Sequence, residues 1–180
     1  MKKKILIIGA ASILSNYLIS DLKENFKVYL LFNKRKRIIS KIKKINLDLN
    51  KKKDLKKFSN IKFFLIINCA AITDVDYCEK NYFKCLNINF FLVKKIVNEI
   101  KNTKTKFLQI STDQLFISKN KFISEIEKPK PLNNYAKSKF LAEKYVTSNL
   151  KKFFIIRTNF FGWGLNYKKT FSDNIIINLQ

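Results

Sequence analysis

"ILIIGAASILSNYL", running from Ile5 to Leu18, decides how this chain is read. A short apolar run meets Gly9, small residues follow, and Leu14, Tyr17, Leu18 and Leu22 then recur at helical spacing. This is the layout of a strand, tight turn and helix that holds a dinucleotide. In that motif the first glycine permits the turn, the second lets backbone approach the pyrophosphate, and the third lets helix and strand pack closely. Amides at the helix N-terminus then face the phosphates. Gly9 keeps the first place, whereas Ser12 and Ser15 stand in the other two. If position 12 needs positive φ, a serine there costs about 1 kcal/mol, which weakens a site without abolishing it. The contacts such a turn offers are Gly9, Ser12, Ile13 and Leu14. Taken alone, the stretch fits equally well a buried strand and helix that bind nothing.

Outward from this stretch, apolar runs alternate with helical ones. Strands are expected at Lys4–Ile8, Lys27–Phe32, Lys62–Asn68, Lys106–Ser111 and Phe153–Thr158, with a weaker one near Ile45–Leu49. Their near-continuous apolar character suits a parallel sheet covered on both faces. Between them, Leu92, Val93, Ile96, Val97 and Ile100 repeat at helical spacing, as do Phe140, Leu141 and Tyr145. Strands and helices in this order predict an α/β fold with a doubly wound, Rossmann-like parallel sheet. Ile117–Asn134 carries both prolines and reads as a loop, while the lysine runs Lys41–Lys44 and Lys51–Lys57 read as solvated faces.

Composition bounds the function. The 180 residues suit one domain, and 47% hydrophobic with 28% charged residues is globular. The net charge of +24 comes from 34 Lys and only 3 Arg. Base-reading surfaces favour the guanidinium fork, and no basic stripe interleaved with aromatics is present, so specific nucleic-acid binding is not expected. A composition rich in Lys, Asn, Ile and Phe is also what an AT-rich genome imposes on any protein. Three cysteines and no histidine argue against a structural zinc site and for a reducing, cytoplasmic setting. No apolar run reaches the roughly 18 residues needed to span a bilayer. "MKKKILIIGAASIL" imitates a secretory signal, but no small-residue cleavage site follows and the pattern passes into a helix bearing Asp21, Lys23 and Glu24.

The end of the second strand leans toward a phosphorylated ribose. NAD sites place an acid there and NADP sites a base; the sequence reads "LFNKRKR", with Arg35 and Arg37 among lysines and no acid. NADPH is therefore favoured, weakly, over NADH.

A Tyr-x-x-x-Lys pair occurs at Tyr135 and Lys139. On a helix the two share a face, so an ammonium can lower the phenol's pKa and ease proton transfer. With seven tyrosines and 34 lysines in 180 residues, that spacing arises about once by chance. Its surroundings carry more weight. "QISTDQLF" ends a strand with Ser111 and Thr112 at its carboxyl edge, where open α/β sheets bind ligands. "EKPKPLNNYAKSKFLAEKYV" then opens a helix, and "IINCAAITDVDYCEKN" closes the fourth strand upstream and leads into a helix containing Asn89.

In that order, "NCAAITDVDYCE", "STDQLF" and "PLNNYAKSKFLAE" resemble the extended short-chain dehydrogenase/reductases, most nearly the dTDP-4-dehydrorhamnose reductase family of sugar-nucleotide-binding proteins. The resemblance covers almost the whole chain. It implies that Tyr135 donates a proton to a keto oxygen, that Lys139 binds the nicotinamide ribose and tunes Tyr135, and that Thr112 hydrogen-bonds the same carbonyl, with Ser111 beside it. Ala70 and Ala71 would line the cofactor groove, and Asp48 with Leu49 would lie against the adenine. Arg157, Thr158 and Asn159 fall where relatives bring the last strand toward nicotinamide and substrate. For Asn68, Thr73 and Asp76, turn chemistry is as good a reading as direct contact.

The function implied is reduction of a nucleotide-linked 4-keto sugar by NADPH. Two alternatives stay open: a non-catalytic dinucleotide-binding module or regulatory subunit, and an epimerase or dehydratase relative with the same Tyr–Lys pair. Ala136 replaces a glycine that relatives often carry, and Gln114 replaces a commoner aromatic. Family members also continue into a small C-terminal domain that clasps the nucleotide-sugar. Residues 1–160 are accordingly expected to form the NAD(P)-binding domain and 161–180 the start of a truncated substrate-binding region, with the substrate domain largely missing. A second copy of the chain or another partner would then supply cover.

Overall fold

A computed structural model describes residues 1–31, 42–117 and 122–160, together with 173, 176 and 177. Its centre is a six-stranded parallel sheet in the order β3-β2-β1-β4-β5-β6. The strands are β1 (Lys4–Ile8), β2 (Lys27–Leu31), β3 (Lys43–Ile45), β4 (Leu65–Asn68), β5 (Lys106–Ile110) and β6 (Phe153–Ile156). Side chains alternate across a strand, and the core divides accordingly. Ile5, Ile7, Leu30 and Ile67 face one layer with Ile19 of helix α1 (Ile13–Leu22). Leu6, Ile8, Ile66 and Phe107 face the other, against Val93, Ile96 and Val97 of α5 (Leu92–Ile100) and Ala142 and Val146 of α6 (Asn134–Asn149). Each fully buried Ile, Leu or Phe is worth about 1.5–3 kcal/mol. The doubly wound α/β reading of the sequence holds.

Strands β5 and β6 end one and two residues earlier than expected, at Ile110 and Ile156, and two others depart further. Lys62–Phe64 stays outside β4, with Phe63 turned into the core instead. The weak strand forms at Lys43–Ile45 rather than Ile45–Leu49, pairing Tyr29 with Lys43. Residues 47–49 are thereby freed to curve over the sheet edge. The lysine run at 51–57 is a helix, α2 (Lys52–Ser59), whose Phe58 reaches the core while its lysines stay in water. Its period was hidden because only Leu55 and Phe58 are apolar within it.

After β4 come α3 (Val75–Lys80) and α4 (Tyr82–Leu86), and α4 runs through a π turn at Asn87–Phe91 into α5. Asp74 caps α3, accepting from the Tyr77 amide at 2.8 Å. The cap is thus neither Thr73 nor Asp76, both of which are exposed.

The chain runs outward from β1 in one direction through β2 and β3, and in the other through β4, β5 and β6. In such sheets ligands bind outside the carboxyl ends of the strands at this switch point. Gly9 follows β1 there, and Cys69 and Ala70 follow β4.

Candidate active site

A cavity of about 530 Å³ opens at the switch point. Gly9 and Ser12 line it from the first turn, Asp48 and Leu49 from the segment after β3, and Ala70 and Ala71 from the segment after β4. Six of the expected groove residues thus meet in one space. Ile13 and Leu14 lie behind it, in the first turn of α1. Arg35, on which the ribose reading rested, lies outside the described residues.

Gly9 is required here. Its φ is +83°, and a Cβ would sit 2.6 Å from the Ala70 nitrogen. Ser12 is not strained: it takes φ −77° and ψ 153° as the N-cap of α1, so the expected cost of positive φ is not incurred. Its Oγ accepts from the Ser15 amide at 3.1 Å and lies 2.7 Å from Ser15 Oγ. Ser15, fully buried, donates from Oγ to the Gly9 carbonyl at 2.9 Å. The two serines form a brace across the turn where the motif has glycines. The amides of Ile13 and Leu14 still precede any intrahelical acceptor, so the positive end of α1 remains turned toward anions.

The second half of the site surrounds the end of β5. Lys139 Nζ donates to the Ile110 carbonyl at 2.6 Å. Thr112, two residues on, caps a 3-10 turn at Asp113–Leu115, accepting from the Gln114 amide at 3.2 Å, and its hydroxyl bears on the Tyr135 phenol. Asn133 caps α6, accepting from the Ala136 amide at 2.7 Å, and Glu79 of α3 binds the Asn134 amide at 2.6 Å. Together these fix the first turn of α6, and so Tyr135. Thr112, Tyr135 and Lys139 converge, and they are enclosed, at 3%, 6% and 2% exposure.

Burial dominates their ionisation. The Tyr135 phenol is held above its ordinary value, desolvation outweighing the Thr112 hydrogen bond. That is opposite to the lowering expected from a neighbouring ammonium, because Lys139 directs its Nζ at a backbone carbonyl. Lys139 itself is pushed down to about 8 by burial, with Glu143 pulling the other way. Cys69 joins the two halves: it lines the cavity, and both the Ser15 side chain and the Lys139 charge bear on its thiol. Burial raises its thiol to about 11.

Three supporting residues hold the site together. Asn89, fully buried in the π turn, accepts from the Ile72 amide at 2.8 Å and donates to the Ile72 carbonyl at 3.0 Å and to Ser138 Oγ at 2.9 Å. It ties the segment after β4 to the helix bearing Tyr135 and Lys139. Asn68 donates to Gln109 at 2.9 Å and accepts from the Ala70 amide at 3.2 Å, a turn role. Glu143 holds Arg157 in an ion pair at 2.8 Å. Arg157 is thereby engaged inside the fold, while among the described residues Thr158 donates to the Asn159 carbonyl and Asn159 accepts from the Phe160 amide. Ser111 Oγ is buried without a partner. Among the described residues no cluster of His, Cys, Asp or Glu could hold a metal, and no helix is long and apolar enough to cross a membrane.

Comparison with known proteins agrees with this fold. A family model described as the RmlD substrate binding domain matches residues 2–176. A curated dTDP-4-dehydrorhamnose reductase from Salmonella typhimurium is 31% identical over 139 residues, 70% of this chain and 46% of its own length. A solved dTDP-4-dehydrorhamnose reductase from Clostridium acetobutylicum superposes with a TM-score of 0.75 at 30% identity, covering 98% of this chain and 59% of that one. Another, from Bacillus anthracis in complex with NADP, gives 0.72 at 28% identity, covering 87% and 53%. The chain spans about half the length of these relatives.

Proposed function

The chain belongs to the RmlD substrate binding domain family, and from that premise we propose that it reduces the keto group of a nucleotide-linked 4-keto sugar, with NADPH as the hydride donor. The observation that carries this is the meeting of Thr112, Tyr135 and Lys139 at the carboxyl end of β5, next to the strand whose end floors the cavity. The cavity fits a dinucleotide on its own terms. Its floor is the backbone approach of Gly9 to Ala70, which a side chain would fill, and the first amides of α1 favour a pyrophosphate. Asp48 and Leu49 stand at the end where an adenine would lie. The bound complex of the Bacillus anthracis relative supports NADP as the partner.

Bound NADPH supplies hydride to the keto carbon. Tyr135 delivers its proton to the oxygen as that oxygen becomes an alkoxide, and Thr112 holds the same oxygen by a hydrogen bond. Lys139, bonded to the Ile110 carbonyl, would carry the contact to the nicotinamide ribose. Enclosure keeps water from competing for the proton and strengthens each of these interactions. The division at residue 160, between a dinucleotide domain and the start of a substrate-binding region, belongs to this reading, as do a cytoplasmic setting and a second copy or partner over the site.

Purified protein with a dTDP-4-keto sugar and NADPH tests the reading. NADPH absorbance should fall with wild-type protein and stay level with Tyr135→Phe; equal turnover by the two removes the proton-donor role. One observation favours a second reading, a dinucleotide-binding module without turnover: the three side chains are closed off and the phenol is raised. NADPH fluorescence enhancement with no loss of NADPH would select it. Conversion of a sugar nucleotide without net NADPH oxidation would select an epimerase or dehydratase.

A further inference from the structure

Beneath Lys139 lies a charged cluster that the proposed reaction does not use. Glu143 is one turn further along α6 and 2% exposed, in a chain with 13 acids against 37 bases. Its carboxylate takes a fork from Arg157: Nε at 3.2 and 3.1 Å from the two oxygens, Nη2 at 2.8 Å. Arg157 also donates from Nη1 to the Glu125 carbonyl at 3.2 Å and lies 5.3 Å from the Phe116 ring centre. The carboxylate is thus immobilised from β6 and from the loop after β5 together. Lys139, 2% exposed, shares its helix face at i, i+4.

We propose that Glu143 is a positioning residue for the site: clamped by Arg157, its carboxylate is the fixed counter-charge of Lys139, holding that side chain as an ammonium under the carboxyl end of β5.

A buried ammonium is disfavoured by desolvation and survives only beside negative charge. The groups bearing on Lys139 from each packed element are few. Cys69 reaches it from the end of β4 and Cys85 from α4. Tyr135 stands one turn earlier on α6 as a neutral phenol, with Asp113 acting on that phenol rather than on Lys139. Arg157 is a cation. Glu143 is the carboxylate, and it opposes most strongly the burial that brings Lys139 to about 8. The Arg157 fork keeps the carboxylate in place one turn from Lys139 on the same helix, while Lys139 Nζ itself donates to the Ile110 carbonyl.

The catalytic consequence rests on the reading of Lys139 given above, but the charge itself can be followed without turnover. In the full chain labelled with 13C at lysine Cε, the resonance that disappears in Lys139→Met reports the titration. The wild-type midpoint should fall near 8, and Glu143→Gln should lower it by about one pH unit or more. Glu143→Asp, which keeps the charge, should bring it back toward the wild-type value. An unchanged midpoint in Glu143→Gln, or a wild-type Lys139 already neutral at pH 7, overturns the proposal. Should Glu143→Gln not fold, the wild-type titration still decides. Turnover retained by Lys139→Met would sink the catalytic reading and leave the Glu143 result standing.

Discussion

The two halves of the site are built from different materials. The end at Gly9 is backbone: one positive φ, a strand-to-strand approach that tolerates no Cβ, and an open cavity of about 530 Å³. The end at Tyr135 is side chain: three polar groups, each less than 7% exposed, held by caps, a π turn and a buried ion pair. A backbone-built half tolerates changes of side chain around its single glycine. A side-chain-built half depends on every hydrogen bond beneath it. Binding and chemistry should therefore separate under mutation.

Tyr135→Phe gives the largest expected effect. Turnover of a dTDP-4-keto sugar should drop by about 10²–10⁴-fold, while NADPH affinity, measured by fluorescence titration, should change little. Loss of both together would break the contrast. Gly9→Ala should act in the other half. The left-handed backbone and the clash with Ala70 should cost about 2 kcal/mol or more in urea unfolding, and NADPH binding should go with it.

Asn89→Ala leaves the Ile72 amide without its side-chain acceptor, which should cost about 1–3 kcal/mol. Its effect should reach both halves, since Asn89 ties the segment after Ala71 to Ser138. Lys139 sets a pH signature. Its folded pKa of about 8 lies below the ordinary 10.5, so above pH 8 the unfolded chain holds the proton longer and stability rises with pH. Above about 9 the Cys69 thiol, raised in the fold to about 11, opposes that slope. Chemical denaturation between pH 8 and 9 should show the rise in wild type and not in Lys139→Met. The smallest change in function is expected at the brace. Ser15→Gly removes two hydrogen bonds of its Oγ, to the Gly9 carbonyl and with Ser12 Oγ, about 1 kcal/mol each, and should bring no gain in NADPH affinity, because Ser12 is already unstrained at φ −77°. A marked gain would mean that the serines had weakened the turn.

Where the chain was legible follows the same division. Long apolar strands announced the sheet, since Ile5–Ile8 and Ile66–Ile67 are buried on both faces. Gly9 was legible because a turn of this kind has no substitute for it. Lys139 and Tyr135 were placed by spacing and by their neighbours, though not their enclosure, because burial is a property of what packs from α3, α4 and β6. Glu143 was one acid in a helix full of lysines. Its partner Arg157 is 14 residues away, and no local pattern links them. Asn89 was hidden for a related reason: a π turn adds a residue to the helical cycle, so a reading by 3.6-residue period misassigns the face it points to. The strand at Lys43–Ile45 was missed because two of its three residues are lysines on an edge.

The order in which strands pair has a consequence for how the chain comes off the ribosome. β2 lies beside β1 and β3 beside β2, while β4 lies on the other flank of β1, β5 beside β4 and β6 beside β5. Each strand in chain order therefore has a free flank to join, and none has to be inserted between two that precede it. Among the described residues β6 is the edge strand on that side, and its Phe154 and Ile156 stand at 57% and 43% exposure.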